Sequence, residues 1–564
     1  MTLKSTMQGT QLGLSTILAR AAGPYAASSV ITRTLTERSV VTFGETAARV
    51  LRLAAGLLDI GVQPGDRVAT LQWNNQEHLE VHYGVPVIGA VIHTLNPRLT
   101  AAELAYIIDD AGDRVVIVDA ELLGVLAPVL ELTKTVRTVI VTRGSGSADA
   151  GAGALPGWRG AIVAYGDVLT RAPALAELPE IAEDQASVLC YTSGTTGPPK
   201  GVLYSHRSLF LHALMTCTTN ALGVGETDRL LAIAPLFHAN GWGFAYASLL
   251  SGADLILPDR VMEPRRLVSL IVEERPTVSS GVPTVWTRIM EIAKETGADL
   301  SSLRLVQCGG SAVPSALMEY YQNEHGVFIQ QAWGMTETGP IAAVSKPPKQ
   351  ADASAYWYYR RAAGRILPGL EARICDDNGD VLPSDGEAIG ELEVRGPWVT
   401  GSYFGAAATD RSFHDGWLRT GDVGTLDSQG YIRITDRSKD VIKSGGEWIS
   451  SVQIEDLLSR HPGVLEAAVI GVPDDRWGER PLACVVLDPD APPAFAELED
   501  YLAGHIAKWQ VPRRWQAVPR LPRTSVEKVD KKALRRTYEV GDITGPAARP
   551  QDSLENTSRQ ISPR

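Results

Sequence analysis

Between Val41 and Ala120 the chain changes its apolar period repeatedly. ETAARVLRLAAGLLDIG repeats apolar residues every three to four positions and predicts an amphipathic helix ending at Gly61; RVATLQW predicts a strand, LTAAELAYIIDDAG a helix and RVVIVDA a strand. Such alternation predicts a parallel, doubly wound sheet. The rhythm returns after residue 186, with candidate strands ASVLCYT, RLLAIAP, ADLILP and LRLVQCG. Two α/β units are expected, joined through the Gly/Ala/Ser-rich stretch 144–157, which reads as a surface loop. Beyond about residue 365 the texture shifts to short strands with turn residues, as in GLEARICDDNGDVLPSDGEAIGELEVRG, and predicts a meander or small barrel. After the charged cluster DRSKD come a helix (SVQIEDLLSR), strands (VLEAAVIGV and PLACVVL) and a helix (ELEDYLAGHIA), enough for a small α+β domain. The expected architecture is therefore α/β. Residues 1–435 form two doubly wound subdomains and a small β-barrel-like subdomain, 436–440 a hinge, 441–540 a small mobile C-terminal domain, and 541–564 a disordered tail.

Composition narrows the function. Lys plus Arg number 53 against 65 Asp plus Glu, a net charge of −12, so no global field attracts nucleic acid or acidic lipid, and an anionic ligand must be held by local cations. Five widely spaced cysteines, never as CxxC, indicate neither a disulfide framework nor a zinc site, and a reducing cytoplasm is expected. No stretch reaches about 18 uninterrupted apolar residues, so no membrane span is expected.

The strand ASVLCYT runs into SGTTGPPKG (193–201), where glycines, hydroxyls and Lys200 crowd together. Such a loop offers N–H groups, hydroxyls and an ammonium to an oxyanion, although a Gly-rich surface turn has the same composition. It is not a Walker A loop: Pro199 stands where GxxxxGK[ST] needs its second Gly. His78 and His82 lie four apart, but Glu80 is not adjacent to the first as in HExxH, and a metal there is not expected. No GxSxG elbow occurs, which argues against an α/β-hydrolase.

YTSGTTGPPKGV (191–202) resembles the nucleotide-binding signature of the adenylate-forming superfamily of acyl-CoA synthetases, peptide-synthetase adenylation domains and beetle luciferases. PLFHANGW, CGGSAVP, QAWGMTETG, GWLRTGDVG, TDRSKDVIKSGGEWISSVQIE and PRTSVEKVDKKALR match further motifs in the family's order, from residue 191 to 535. The first 190 residues contribute only their α/β rhythm. The resemblance implies MgATP-dependent activation of a carboxylic acid to acyl-AMP, then transfer to CoA. It assigns Thr192, Ser193, Gly194, Thr195, Thr196 and Lys200 to the phosphates, and Gly310, Ser311, Trp333 and Gly334 to the adenine wall. Asp422 and Arg437 are implied at the ribose, Thr336 at the α-phosphate, and Glu337 with Thr192 at Mg²⁺. The HxNxW form of His238 and Trp242, with Gly309, resembles medium- and long-chain fatty acyl-CoA synthetases, in which the Trp gates an acyl tunnel. Lys528 is implied as the catalytic cation of the first step, Lys439 as the hinge, and Gly445 and Gly446 as the CoA-side strand edge. One departure stands out: Glu527 precedes Lys528 where the family has Gly. The expected partners are a fatty acid, ATP and CoA, with no nucleic acid; a homodimer is compatible with the resemblance.

Overall fold

The computed structural model describes residues 3, 5–143, 155, 157–192, 199–405, 412–437, 440, 442–444, 447–524 and 528–541. Ser193, Gly194, Thr195 and Thr196 of the phosphate loop, the hinge Lys439, Gly445, Gly446 and Glu527 lie outside the described residues, as does the tail beyond 541. The chain divides into two compact units, Met1–Ile434 and Thr435–Arg564.

The first unit holds two sheets. The smaller runs, in spatial order, through Ala161–Ala164, Thr138–Thr142, Val115–Asp119, Arg67–Leu71, Val91–Thr94, Ala186–Tyr191 and Gly201–Ser205. All neighbours are parallel except the last pair, a hairpin. Its central strands are almost wholly buried, VVIVD at every position, as expected of parallel strands covered on both faces. Helix Phe43–Asp59 covers one face, with Val50, Leu53, Ala54 and Leu57 fully buried. Its start is set by a capping box: Thr42 Oγ1 accepts from Glu45 N and the Glu45 carboxylate accepts from Thr42 N. Such a cap contributes about 1 kcal/mol.

The larger sheet has 14 strands. Phe328–Gly334, Leu305–Gly309, Val278–Gly281, Arg229–Leu231, Asp254–Leu257 and Ser29–Arg33 are mutually parallel. From Phe328–Gly334 outward the pairing turns antiparallel, through Ile341–Val344, Gly364–Ile366, Tyr431–Arg437, Trp417–Leu426, Gly390–Arg395 and Glu371–Cys375. The barrel-like subdomain expected from the sequence is thus corrected. Its strands form no closed barrel among the described residues; they extend the second parallel sheet, because Phe328–Gly334 offers a free edge on which they add.

The second unit is a five-stranded sheet with helices Ser451–Leu458 and Phe495–Ala503 against one face and Lys531–Glu539 against the other. All five cysteines are free thiols. Among the described residues no helix is long and apolar enough to cross a membrane.

Candidate active site

The hairpin Ala186–Tyr191/Gly201–Ser205 closes the ends of its loop by reciprocal bonds: Thr192 N donates to Lys200 O (2.9 Å) and Lys200 N to Thr192 Oγ1 (3.3 Å). The Lys200 ammonium lies 4.6 Å from the centroid of the Tyr403 ring and donates to Ser412 Oγ at 3.3 Å. Tyr403 in turn donates its hydroxyl to Glu337 Oε1 at 2.8 Å, and Thr400 N donates to Glu337 O. Tyr204, three residues past the pair Tyr191–Gly201 that closes the hairpin, donates to Thr336 O. Two motifs more than 130 residues apart, that of Lys200 and that of Thr336 and Glu337, therefore share one cluster through two tyrosines. Burial, reinforced by the Glu337 carboxylate, pushes the Tyr403 phenol well above its ordinary range, so it stays a donor and Glu337 the acceptor. Beside them a pocket of about 240 Å³ is lined by Tyr204, Ser208, Trp398, Thr400 and Tyr403 among others. Neither Tyr403 nor Ser412 carries a sequence signal; only the tertiary contact reveals them.

Trp333 and Gly334 end the strand Phe328–Gly334, and Gly309 ends the adjacent parallel strand, paired with Ala332. Ligands of open α/β sheets gather at such carboxyl ends. Trp333 Nε1 donates to Asp422 Oδ2 at 2.7 Å, with both side chains buried, so the adenine-wall and ribose candidates are in direct contact. Gly334 admits no side chain, since a Cβ there would stand 1.9 Å from Pro340 O. This close approach folds Met335–Gly339 into the turn that carries Thr336 and Glu337, with Met335 N donating to Thr338 Oγ1 (2.9 Å). Gly310 takes φ +85° and Ser311 is exposed at its rim.

His238 and Trp242 are half-buried; His238 precedes a left-handed turn and Trp242 lies within it. Five consecutive residues, Ala239 to Gly243, have φ between +42° and +84°, three of them not glycine. Each non-glycine residue held there costs roughly 1–2 kcal/mol. Packing holds the turn: Gly243 lies against the His212 ring, and Cys190 Sγ approaches Asn240 Oδ1 at 3.9 Å. His212 accepts from Ile341 N at Nε2, and burial lowers its pKa to about 4.

His78 and His82 do lie on one helix, Gln76–Gly84, with ring centroids 4.8 Å apart. Both are buried and bonded to protein groups: His78 to Thr70 Oγ1 and Trp73 O, His82 to Tyr246. A different set of metal-type ligands, Cys375, Glu393 and His414, is gathered on the antiparallel strands. There the Arg373 guanidinium already donates to Glu393 and approaches His414 Nδ1 at 3.3 Å, supplying the cation itself.

In the second unit Lys528 N donates to Thr524 Oγ1 (3.2 Å) and Thr524 N to Lys528 O (2.7 Å), closing a short loop. Arg437 is exposed near that unit's start, its N–H donating to Asp436 Oδ1.

Comparison with known proteins agrees with this geometry. The AMP-binding enzyme family matches residues 19–404, reaching far into the part that carried no motif, and the AMP-binding enzyme C-terminal domain matches 453–528. The chain is 42% identical over 491 residues (86% of this chain, 90% of the relative) to 3-methylmercaptopropionyl-CoA ligase of Ruegeria pomeroyi. It is 40% identical over 541 residues to a long-chain-fatty-acid–CoA ligase of Thermus thermophilus, and 38% over 542 residues to a medium-chain-fatty-acid–CoA ligase of Ectopseudomonas oleovorans. Each of those two alignments covers 95% of this chain and 97% of the relative. The crystal structure of the anthranilate CoA ligase AuaEII with anthranoyl-AMP superposes with a TM-score of 0.84 at 27% identity, covering 96% of this chain and all of that one. The chain belongs to the AMP-binding enzymes, the adenylate-forming superfamily.

Proposed function

We propose that the protein is an AMP-forming fatty acid–CoA ligase acting on medium- or long-chain acids. In the first step a fatty acid carboxylate oxygen attacks the α-phosphorus of ATP, the bond to the β-phosphate oxygen breaks, and pyrophosphate leaves. In the second the CoA thiolate attacks the acyl carbon and AMP departs with the electron pair of the acyl–oxygen bond. Both steps develop negative charge, so fixed cations and N–H donors are the main protein contribution. The observation that carries the reading is the convergence of Lys200, Tyr403 and Glu337: an ammonium for phosphate oxygens beside a carboxylate whose geometry a phenol fixes.

The roles follow the motifs. Thr192 and Lys200, with the loop residues between them, hold phosphates, Thr336 meets the α-phosphate, and Asp422 takes the ribose hydroxyls with Arg437. Trp333, Gly334, Gly310 and Ser311 wall the adenine. A buried carboxylate, Glu337, and a hydroxyl, Thr192, are hard oxygen donors, suited to Mg²⁺, which keeps most of its waters. When bound, that ion neutralises phosphate charge. His238, Trp242 and Gly309 line the acyl entrance. Lys528 serves the first half-reaction, and the small domain, residues 441–540, then turns about Lys439 to bring Gly445 and Gly446 to the CoA side. Free thiols suit a reducing cytoplasm.

The test measures pyrophosphate and AMP release with acids from octanoate to palmitate, with and without CoA, including 3-methylmercaptopropionate as competitor. AMP and pyrophosphate with the fatty acids are expected; ADP and phosphate would overturn the reaction, and preference for 3-methylmercaptopropionate the acyl class.

A further inference from the structure

Asn74 stands between the strand Arg67–Leu71 of the smaller sheet and the helix Gln76–Gly84, and it is buried. Its side chain reaches across to the larger sheet. The amide donates to Ala232 O at 2.7 Å and to Ala234 O at 3.0 Å, and the side-chain oxygen accepts from Leu236 N at 2.8 Å. All three partners are buried and lie on the segment that continues strand Arg229–Leu231 toward His238. Pairing of that strand with its neighbours stops at Leu231, with one further bond from Ala232 N to Ile256 O at 3.0 Å. Past that point a single side chain takes the place of a neighbouring strand, satisfying two carbonyls and an N–H that burial would otherwise leave unpaired.

Asn74 is itself held on both sides. Its backbone oxygen accepts from Asp259 N at 2.8 Å, and Trp73 N and Asn75 Nδ2 each donate to Asp119 Oδ2 at 2.8 Å, at the end of strand Val115–Asp119. The segment it grips bears directly on the left-handed turn beyond. A Cβ on Gly241 would stand 2.6 Å from Leu236 Cδ2, so the turn is packed against Leu236, and the Phe237 ring meets Trp73 edge to face with centroids 6.3 Å apart. A shift of Ala232–Leu236 therefore moves the floor on which Ala239–Gly243 rests. We propose that Asn74 is a positioning residue for the acyl substrate: it fixes Ala232–Leu236 and, through Leu236 and Gly241, the turn that carries Trp242, and so sets which acids are accepted. This rests on the reading of that turn as the acyl entrance.

The experiment compares wild type, Asn74→Ala and Asn75→Ala. Asn75 is equally buried and adjacent, but it bonds Asp119 and His78 N, outside the segment, so its loss reports a purely structural defect. Pyrophosphate release gives kcat/KM for 3-methylmercaptopropionate, octanoate and palmitate, with KM for ATP measured beside it. In Asn74→Ala the ratios among the three acids are expected to change fivefold or more while KM for ATP stays within about twofold. In Asn75→Ala the ratios are expected to stay at wild type although the thermal midpoint falls. Because ratios are compared, the test holds whichever acid the wild type prefers. Ratios that change equally in both variants overturn the proposal. If Asn74→Ala does not fold, the isosteric Asn74→Asp, which keeps the acceptor for Leu236 N and removes the amide donor, is read in the same way; a changed acid profile is expected, and an unchanged one overturns the proposal. Hydrogen exchange of the peptide 232–243 without substrate separates the two readings, with about tenfold faster exchange expected in Asn74→Ala. Unchanged exchange overturns the hold of Asn74 alone; faster exchange with unchanged acid ratios overturns the acyl-entrance reading and the positioning role with it.

Discussion

Tyr403 shows what a motif-based reading of this chain leaves out. Lys200, Thr336, Glu337, Trp333 and Asp422 are found because they stand in short strings that resemble the motifs of the adenylate-forming family. Tyr403 stands in GSYFG, a string without periodicity, and acquires meaning only through Glu337, 66 positions away, and the Lys200 ammonium over its ring. Its hydroxyl donates to a carboxylate, an interaction worth about 1.5–3 kcal/mol when the acceptor is charged. Tyr403→Phe keeps the ring beneath Lys200 and removes only that donor. The first half-reaction is then expected to fall about tenfold, near the lower end of that range, with a higher Mg²⁺ requirement as Glu337 loses its orientation. Pyrophosphate release titrated with Mg²⁺ measures both; an unchanged rate and Mg²⁺ dependence would show that the phenol does not orient Glu337.

At the scale of elements, the parallel strands were legible because strands covered on both faces are short, largely apolar runs, and the helices because their apolar residues recur every three to four positions; the capping boxes at Thr42 and Thr100 emerge from the structure. How the strands after residue 365 join up was not legible: closing on themselves or adding to the edge of Phe328–Gly334 depends on pairings between distant segments, which local patterning does not encode. The turn after His238 is a second case. HANGWG contains two glycines, yet Ala239, Asn240 and Trp242 share their left-handed backbone, a conformation imposed by packing against local preference. Gly243 is where that packing is tightest, since a Cβ would stand 2.8 Å from His212 Cε1 at φ +84°. Gly243→Ala should therefore displace the turn that carries Trp242 and alter relative rates from octanoate to palmitate, at a cost of about 1–2 kcal/mol from the backbone alone. Identical chain-length profiles and thermal midpoints in the variant and wild type would contradict it.

Over the whole molecule, buried histidines tie stability to pH. His78, His206 and His212 are held neutral by burial, each with its pKa lowered from 6.5 to about 4, and burial holds His82 well below its ordinary value too. Between pH 6.5 and 4 the unfolded chain binds protons at these sites that the folded chain refuses. Stability from each is thus fully present above pH 6.5 and is lost on acidification at roughly 1.4 kcal/mol per pH unit. Asp119 acts with the opposite sign: burial raises its pKa to about 6, so below pH 6 the folded state holds a proton that the unfolded state lacks. The histidines act from pH 6.5, above the point at which Asp119 begins to hold its proton; Glu80, Asp113, Asp436 and Glu455, also raised by burial, act in the direction of Asp119. The thermal midpoint is expected to start falling between pH 6.5 and 6, well above the range where paired carboxylates such as Asp228 are protonated. His212→Gln keeps an acceptor for Ile341 N without a titrating ring, so its midpoint should depend on pH less steeply, by about one proton's worth. A wild-type midpoint flat from pH 6.5 to 5, or a variant slope equal to wild type, would show that these rings take up protons without opening the fold.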